Sequence, residues 1–168
     1  DKNDFLNVKI DPKKKVLFSL FLKAIGFHET NREILDEFLE EKTFDMMEYK
    51  NKYASREDLI EELRTKIEGS IIKEDIVDED TGEIIFESEK EIDAESIIKF
   101  IDLGVESFIY WEVKPEEQII SKSVLADTTK NSDESVIEVF RKLRPGDLVT
   151  VDSAKNLMKQ MFFNPQRY

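Results

Sequence analysis

The sequence predicts an α+β chain: a helical base formed by the two chain ends, interrupted by an inserted module with a small antiparallel sheet and short helices. Three observations carry that expectation. Apolar residues recur at helical spacing near both ends, β-branched and aromatic runs with Asp/Gly turns lie between them, and the charge changes sign along the chain. Residues 1–25 hold six basic and three acidic side chains and residues 140–168 hold six and two, whereas 26–139 hold 13 basic and 33 acidic. The net charge of −13 over 168 residues therefore combines basic ends of +7 with a middle of −20. Residues 1–43 and 125–168 read as the base, and 44–124 as the insert.

From Lys15 to Phe27, the positions of Val16, Leu17, Leu20, Phe21, Ala24 and Ile25 predict a helix, and Phe18 and Leu22 widen its apolar stripe. Gly26 is a permissive residue for its C-terminus. Thr30-Asn31-Arg32-Glu33 reads as a capping box opening a second helix through Ile34, Leu35, Phe38 and Leu39, so the two should form a helical hairpin. Ser55 caps a helix using Leu59, Ile60, Leu63 and Ile67 that stops at Gly69. Ser70 to Val77 and Ile84 to Ile92 read as hairpin strands across the turn Asp80-Thr81-Gly82-Glu83. Asp93 caps a short helix carrying Ile97, Ile98 and Ile101 and ending at Gly104, and Val105 to Val113 reads as a third strand. Residues 121–132 lack an apolar period and read as a connection. Ser132 then caps a helix through Val136, Val139, Phe140 and Leu143, stopped by Arg144-Pro145-Gly146-Asp147. A last helix carries Val151, Ala154, Leu157, Met158, Met161 and Phe162.

Without cysteine the chain has no disulfide, no cysteine-based zinc site and no cysteine nucleophile, and its single histidine, His28, supplies no histidine cluster. His28 follows a buried helix and reads as a C-terminal polar residue. Counted from Asp78 as a calcium loop, Gly82 falls at position 5 and position 12 is Glu89 in an expected strand, so the spacing reads as a plain turn. The carboxylates are too numerous for any one pair to stand out for acid–base work. No phosphate-binding glycine loop, nucleophile elbow or H-E-x-x-H is present. The expectation is no catalytic residue, metal site or cofactor in this chain. The apolar run Val16 to Leu22 ends at Lys23, well short of the ~18 residues a membrane span needs, and no leader pattern is seen, so a soluble cytoplasmic piece of a longer chain is expected. The basic candidates are Lys13, Lys14, Lys15, Arg144 and Arg167, and with the rest of the basic helix end Arg141-Lys142-Leu143-Arg144 they form either a phosphate-facing patch if the ends meet or a solvated rim.

Three ordered motifs resemble a known family. Val8-Lys9-Ile10-Asp11-Pro12-Lys13-Lys14-Lys15 followed by Phe21-Leu22-Lys23-Ala24-Ile25-Gly26-Phe27 is similar to the R-I-D-R-R-R-K and L-L-R-A-L/I-G/N-Y/F of bacterial RNA polymerase beta subunits. Phe140 to Asp147 resembles their Y-R-x-L/M-R-P-G-D/E, and Met161 to Tyr168 their L-F-F-x-x-x-R-Y. The resemblance makes the helical ends part of the beta-subunit lobe and residues from about 44 to 124 a lineage-specific insert, including its D-E-D/S-T-G-E hairpin at Asp78 to Glu83. Pro12 and three lysines replace the family's arginine run, exchanging bidentate forks for point charges.

That likeness implies a non-catalytic piece of a nucleotidyltransferase, forming part of one jaw of the DNA cleft, with the catalytic magnesium held by the beta-prime subunit. Implied partners are the remaining beta subunit, the beta-prime, alpha and sigma subunits, and DNA. Lys13, Lys14, Lys15, Arg144 and Arg167 would position DNA phosphates, or Arg144 and Arg167 would pair with carboxylates inside the lobe. The acidic insert would project away from DNA and could dock a transcription regulator through Phe108, Tyr110 and Trp111, whose alternating positions fit core packing as well. A different reading is a free-standing acidic protein-interaction module, with the polymerase likeness restricted to its helical ends.

Overall fold

The computed structural model describes residues 5–162. In chain order its elements are β1 (Asn7–Asp11), β2 (Lys14–Leu17), α1 (Phe18–Ala24), α2 (Asn31–Phe38), β3 (Glu40–Asp45), α3 (Met47–Lys50) and α4 (Arg56–Ile67). There follow β4 (Ile71–Ile72), β5 (Ile76–Val77), β6 (Ile84–Phe86), α5 (Ala94–Asp102), β7 (Ser107–Glu112), α6 (Gln118–Ala126), α7 (Ser132–Leu143) and α8 (Val151–Phe162). These strands pair antiparallel, and the fold class is α+β as the sequence predicts. The described residues form two units, 5–35 with 122–162, and 36–121.

In the first unit, β1 and β2 form a hairpin with Val8 opposite Val16, Lys9 opposite Lys15, and Pro12 and Lys13 in the turn. The expected helix from Lys15 is corrected here. Val16 is buried and Lys15 exposed, the alternation of a half-buried strand, and the helix begins only at Phe18. Helix α1 packs against α7 instead of forming a hairpin with α2. The core of this unit comprises Ile10, Val16, Ala24, Val136, Val139, Phe140, Ala154 and Met158. Gly26, at φ 86°, turns the chain after α1, and its N–H donates to the Lys23 carbonyl at 3.1 Å.

Two further expectations change at the other end of this unit. Residues 121–132 are a connection only from Asp127 to Asn131: α6 continues through Ala126, and Ser121, Ser123, Asp127 and Thr129 are buried. Apart from Val124, their inward side chains are small and polar, so no apolar period marks them. Helix α7 is capped by Asn131, whose side-chain oxygen accepts the Glu134 N–H at 2.9 Å, while the Ser132 hydroxyl is drawn to the Lys23 carbonyl at 2.7 Å.

In the second unit, β7 is the central strand of the sheet β3-β7-β4. Strand β3, Glu-Glu-Lys-Thr-Phe-Asp, was hidden in the sequence because only Phe44 is buried along it. The two expected hairpin strands break up. Lys73-Glu74-Asp75 separates β4, which pairs with β7, from β5, which pairs with β6. The β5–β6 turn forms where expected: the Asp78 carboxylate accepts the Asp80 and Thr81 N–H groups at 2.8 and 3.3 Å. The core gathers Leu59, Leu63 and Ile67 of α4, Ile97 and Phe100 of α5, and Phe44, Phe108 and Tyr110 of the sheet.

Both helix starts read from the sequence in this unit carry their caps. Ser55 accepts the Asp58 N–H at 3.2 Å, and Asp93 accepts the Ser96 N–H at 2.8 Å and its hydroxyl at 2.7 Å. The Ser96 hydroxyl first, then its N–H, hold the Asp93 carboxyl below its ordinary pKa. A carboxylate whose folded pKa is lowered contributes stability that is complete above the unfolded pKa and fades as pH falls through the folded one. Replacing Asp93→Ala should cost about 1 kcal/mol by urea denaturation near neutral pH. The difference from the parent chain should shrink on acidification through the lowered pKa, and a constant difference across that range would show that the carboxylate charge is not the cap.

Candidate nucleic-acid interface

The interior of the first unit is organised around a charge. Lys23, which ends the apolar run in the sequence, is fully buried one turn after buried Ser19 on α1. Its ammonium lies 2.9 Å from the Asp127 carboxylate, with both side chains fully buried. It also donates to Asn31 Oδ1 at 2.7 Å and to the Thr129 carbonyl at 2.6 Å. Asp127 in turn accepts the Ser19 hydroxyl at 2.7 Å, the Thr129 hydroxyl at 2.5 Å and the Thr129 N–H at 3.0 Å. Ser135 donates to the Thr129 hydroxyl at 2.9 Å. A buried ion pair is tolerated only when its remaining donors and acceptors are met, and here they are.

On this frame the hairpin turn is fastened to the C-terminus of α7. Lys14 Nζ donates to the Leu143 carbonyl at 3.1 Å, and Lys142 Nζ donates to the Lys15 carbonyl at 2.7 Å. An ammonium at a helix C-terminus meets both an orphan carbonyl and the negative end of the helix dipole. Lys14 is thus half-buried and positioned by structure, whereas Lys13 in the turn, Lys15 on the strand and Arg144 after α7 are exposed. The structure therefore brings Lys13, Lys14, Lys15 and Arg144 to one end of this unit, and gives Lys142, which the sequence shows only as part of the same basic helix end, a fastening role. Arg141 beside it is paired with Glu138 at 2.8 Å. Arg167 lies outside the described residues.

The three aromatic docking candidates are placed differently. Phe108, Tyr110 and Trp111 are 7%, 2% and 0% exposed. Phe108 is the hub of an aromatic cluster, with ring centroids 4.8 Å from Phe44, 5.1 Å from Phe100 and 5.9 Å from Tyr110. Burial pushes the Tyr110 phenol pKa up. Trp111 donates its indole N–H to Asp36 at 2.9 Å, and the Lys73 ammonium, bonded to Asp36 at 2.8 Å and to Glu41, lies 5.6 Å from the indole ring centroid. These residues are interior packing, the core alternative that their alternating positions also fit, and are not exposed to a partner as docking anchors would be.

Among the described residues, no group of three or more His, Cys, Asp or Glu side chains is arranged to hold a metal ion, and no helix is long and apolar enough to cross a membrane.

No protein-family model matches the chain. It is 53% identical over 169 residues to the DNA-directed RNA polymerase subunit beta of Fusobacterium nucleatum, a match covering 100% of this chain and 14% of that subunit. The subunit beta of Bacteroides fragilis is 32% identical over 182 residues, with 100% and 14% covered. That of Protochlamydia amoebophila is 28% identical over 171 residues, with 100% and 13% covered. The chain thus spans 14% of the length of the first of these curated relatives, and the matches run through residues 36–121 as well as the two ends.

The buried pair gives a direct test of the frame that holds the basic end together. Lys23→Met and Asp127→Asn should each destabilise the chain, Lys23→Met by about 3–5 kcal/mol because it strands a buried carboxylate. In a double-mutant cycle by urea denaturation the combined loss should be clearly smaller than the sum, whereas simple additivity would mean the two charges are not coupled.

Proposed function

Along its whole length the chain is related to one segment of DNA-directed RNA polymerase beta subunits, and from that premise we propose that it is the DNA-facing lobe of such a subunit. In this reading it contributes no catalytic group of its own. Nucleotidyl transfer, with its magnesium, belongs to the assembled enzyme of beta, beta-prime, alpha and sigma subunits. The chain's own work is electrostatic: exposed cations at the hairpin turn and after α7 attract the phosphate backbone of DNA passing along the cleft, with little dependence on base sequence.

The observation that carries the proposal is the joining of two basic segments far apart in sequence. The Lys14–Leu143 and Lys142–Lys15 bonds place Lys13 and Arg144 each one residue from a fastened position. Among the described residues, no ion pair engages either side chain, so their charge is available to an external anion. Lys14 acts chiefly as a helix cap, and its contribution to DNA is indirect, through the position of the turn. The acidic unit of residues 36–121 repels duplex and serves protein contacts. The free-standing interaction module is less well supported, because the relatives match the insert and the ends alike.

Photo-crosslinkers placed at positions 13, 144 and 79 of the assembled polymerase test the reading. Crosslinks to DNA are expected from 13 and 144, none from Glu79, and the yield should fall steeply between about 50 and about 200 mM salt. Lys13→Ala with Arg144→Ala should flatten the plot of log affinity against log salt by roughly 0.9 for each phosphate that is no longer neutralised. An unchanged slope with no crosslink at either position would remove the phosphate-binding role.

A further inference from the structure

The second unit carries a hollow of about 270 Å³ between the β5–β6 turn and the loop joining α5 to β7. Its lining combines two unlike features. Val77 and Leu103 are aliphatic and about half exposed, at 48% and 54%. Around them stand Asp78, Glu79, Asp80 and Glu106, with no Lys, Arg or His in the lining. Asp78 spends its carboxylate on the turn, accepting the Asp80 and Thr81 N–H groups. Glu79, Asp80 and Glu106 are exposed, and among the described residues no ion pair engages them.

Uncompensated negative charge around exposed aliphatic carbon has a specific complement. A nucleic acid is repelled by the rim, and the volume lies below the roughly 300–1,000 Å³ of pockets that enclose a drug-sized ligand. The space suits one or two side chains of a peptide. We propose that this hollow docks a basic segment of a partner protein, in which an aliphatic side chain rests on Val77 and Leu103 while flanking lysines or arginines meet Glu79, Asp80 and Glu106. The proposal rests on the reading of residues 36–121 as a protein-contact unit and is independent of DNA contact by the basic end. It moves the docking surface from the buried aromatics of β7 to the edge of the same unit, where both the charge and the carbon are accessible.

The probe is a fluorescent hexapeptide of alternating lysine and leucine, titrated into the whole chain by anisotropy, with an alternating glutamate–leucine peptide as counterpart. The lysine peptide should bind and shift the methyl resonances of Val77 and Leu103, and the glutamate peptide should not. The triple variant Glu79→Lys, Asp80→Lys, Glu106→Lys should bind roughly tenfold more weakly or worse, as expected when several exposed charge pairs are removed. A control reversing Glu57, Glu95 and Glu116, equal in net charge, should bind within about twofold of the parent. Leu103→Ser, or Val77→Thr if circular dichroism shows the first to be unfolded, should weaken binding with every charge retained. Equal weakening by the control would reduce the effect to net charge and overturn the site. Unchanged binding by the aliphatic variant, or no binding by the lysine peptide, would overturn it as well. DNA crosslinking through positions 13 and 144 fails or succeeds separately from all of these outcomes.

Discussion

A lysine buried without water is costly unless a carboxylate and several acceptors come with it, and in the first unit that requirement organises everything around it. Lys23 and Asp127 satisfy each other, and Ser19, Asn31, Thr129 and Ser135 satisfy what remains. The bonds reach across the chain, at separations of 106 and 108 residues for two of them. Apolar packing of α1 on α7 is tolerant of small slides, but a network of directed bonds is not. The pair therefore fixes the register in which the two ends of the chain meet, and the hairpin turn reaches the C-terminus of α7 as a consequence.

The second unit is built on the opposite principle. Its centre is apolar and uncharged, an aromatic cluster of Phe108 with Phe44, Phe100 and Tyr110 set among aliphatic side chains, and its carboxylates are left on the outside. Where charge does approach the interior, it is neutralised locally. Asp36 holds both the Trp111 indole and the Lys73 ammonium, and Lys42 pairs across the sheet with Glu112 at 2.5 Å. One unit thus carries a buried charge and a basic end, and the other a neutral core and an acidic exterior, which is why their functional surfaces differ in sign.

Local chemistry was legible residue by residue. Ser55 and Asp93 cap the helices they were expected to cap, and the Asp/Gly turn forms at Asp78 to Glu83. Thr30 accepts the Glu33 N–H at 3.3 Å, while the Glu33 carboxylate takes the Glu29 N–H in place of Thr30's. What was not legible depended on partners distant in sequence. Lys15 to Leu17 read as helix because the apolar spacing of Val16 and Leu17 continues into α1, and only pairing with Asn7–Asp11 makes them part of a strand. Strand β3 has one buried side chain, and α6 turns serines inward, so neither shows the period by which elements are recognised. Of the candidate site, the lysines and Arg144 were visible as charge, and Lys142 was visible only as part of a basic helix end.

By itself, then, the sequence determined the α+β class, the segregation of charge, the absence of cysteine chemistry and the positions of most helix boundaries, because composition, spacing and capping act within a few residues. Tertiary structure alone decided which groups meet. It made Lys23 the partner of Asp127, turned Phe108, Tyr110 and Trp111 inward, fastened Lys14 to Leu143, and left Val77 and Leu103 exposed beside unpaired carboxylates. Those outcomes depend on burial and on hydrogen-bond geometry between segments far apart in the chain, and no local pattern encodes either.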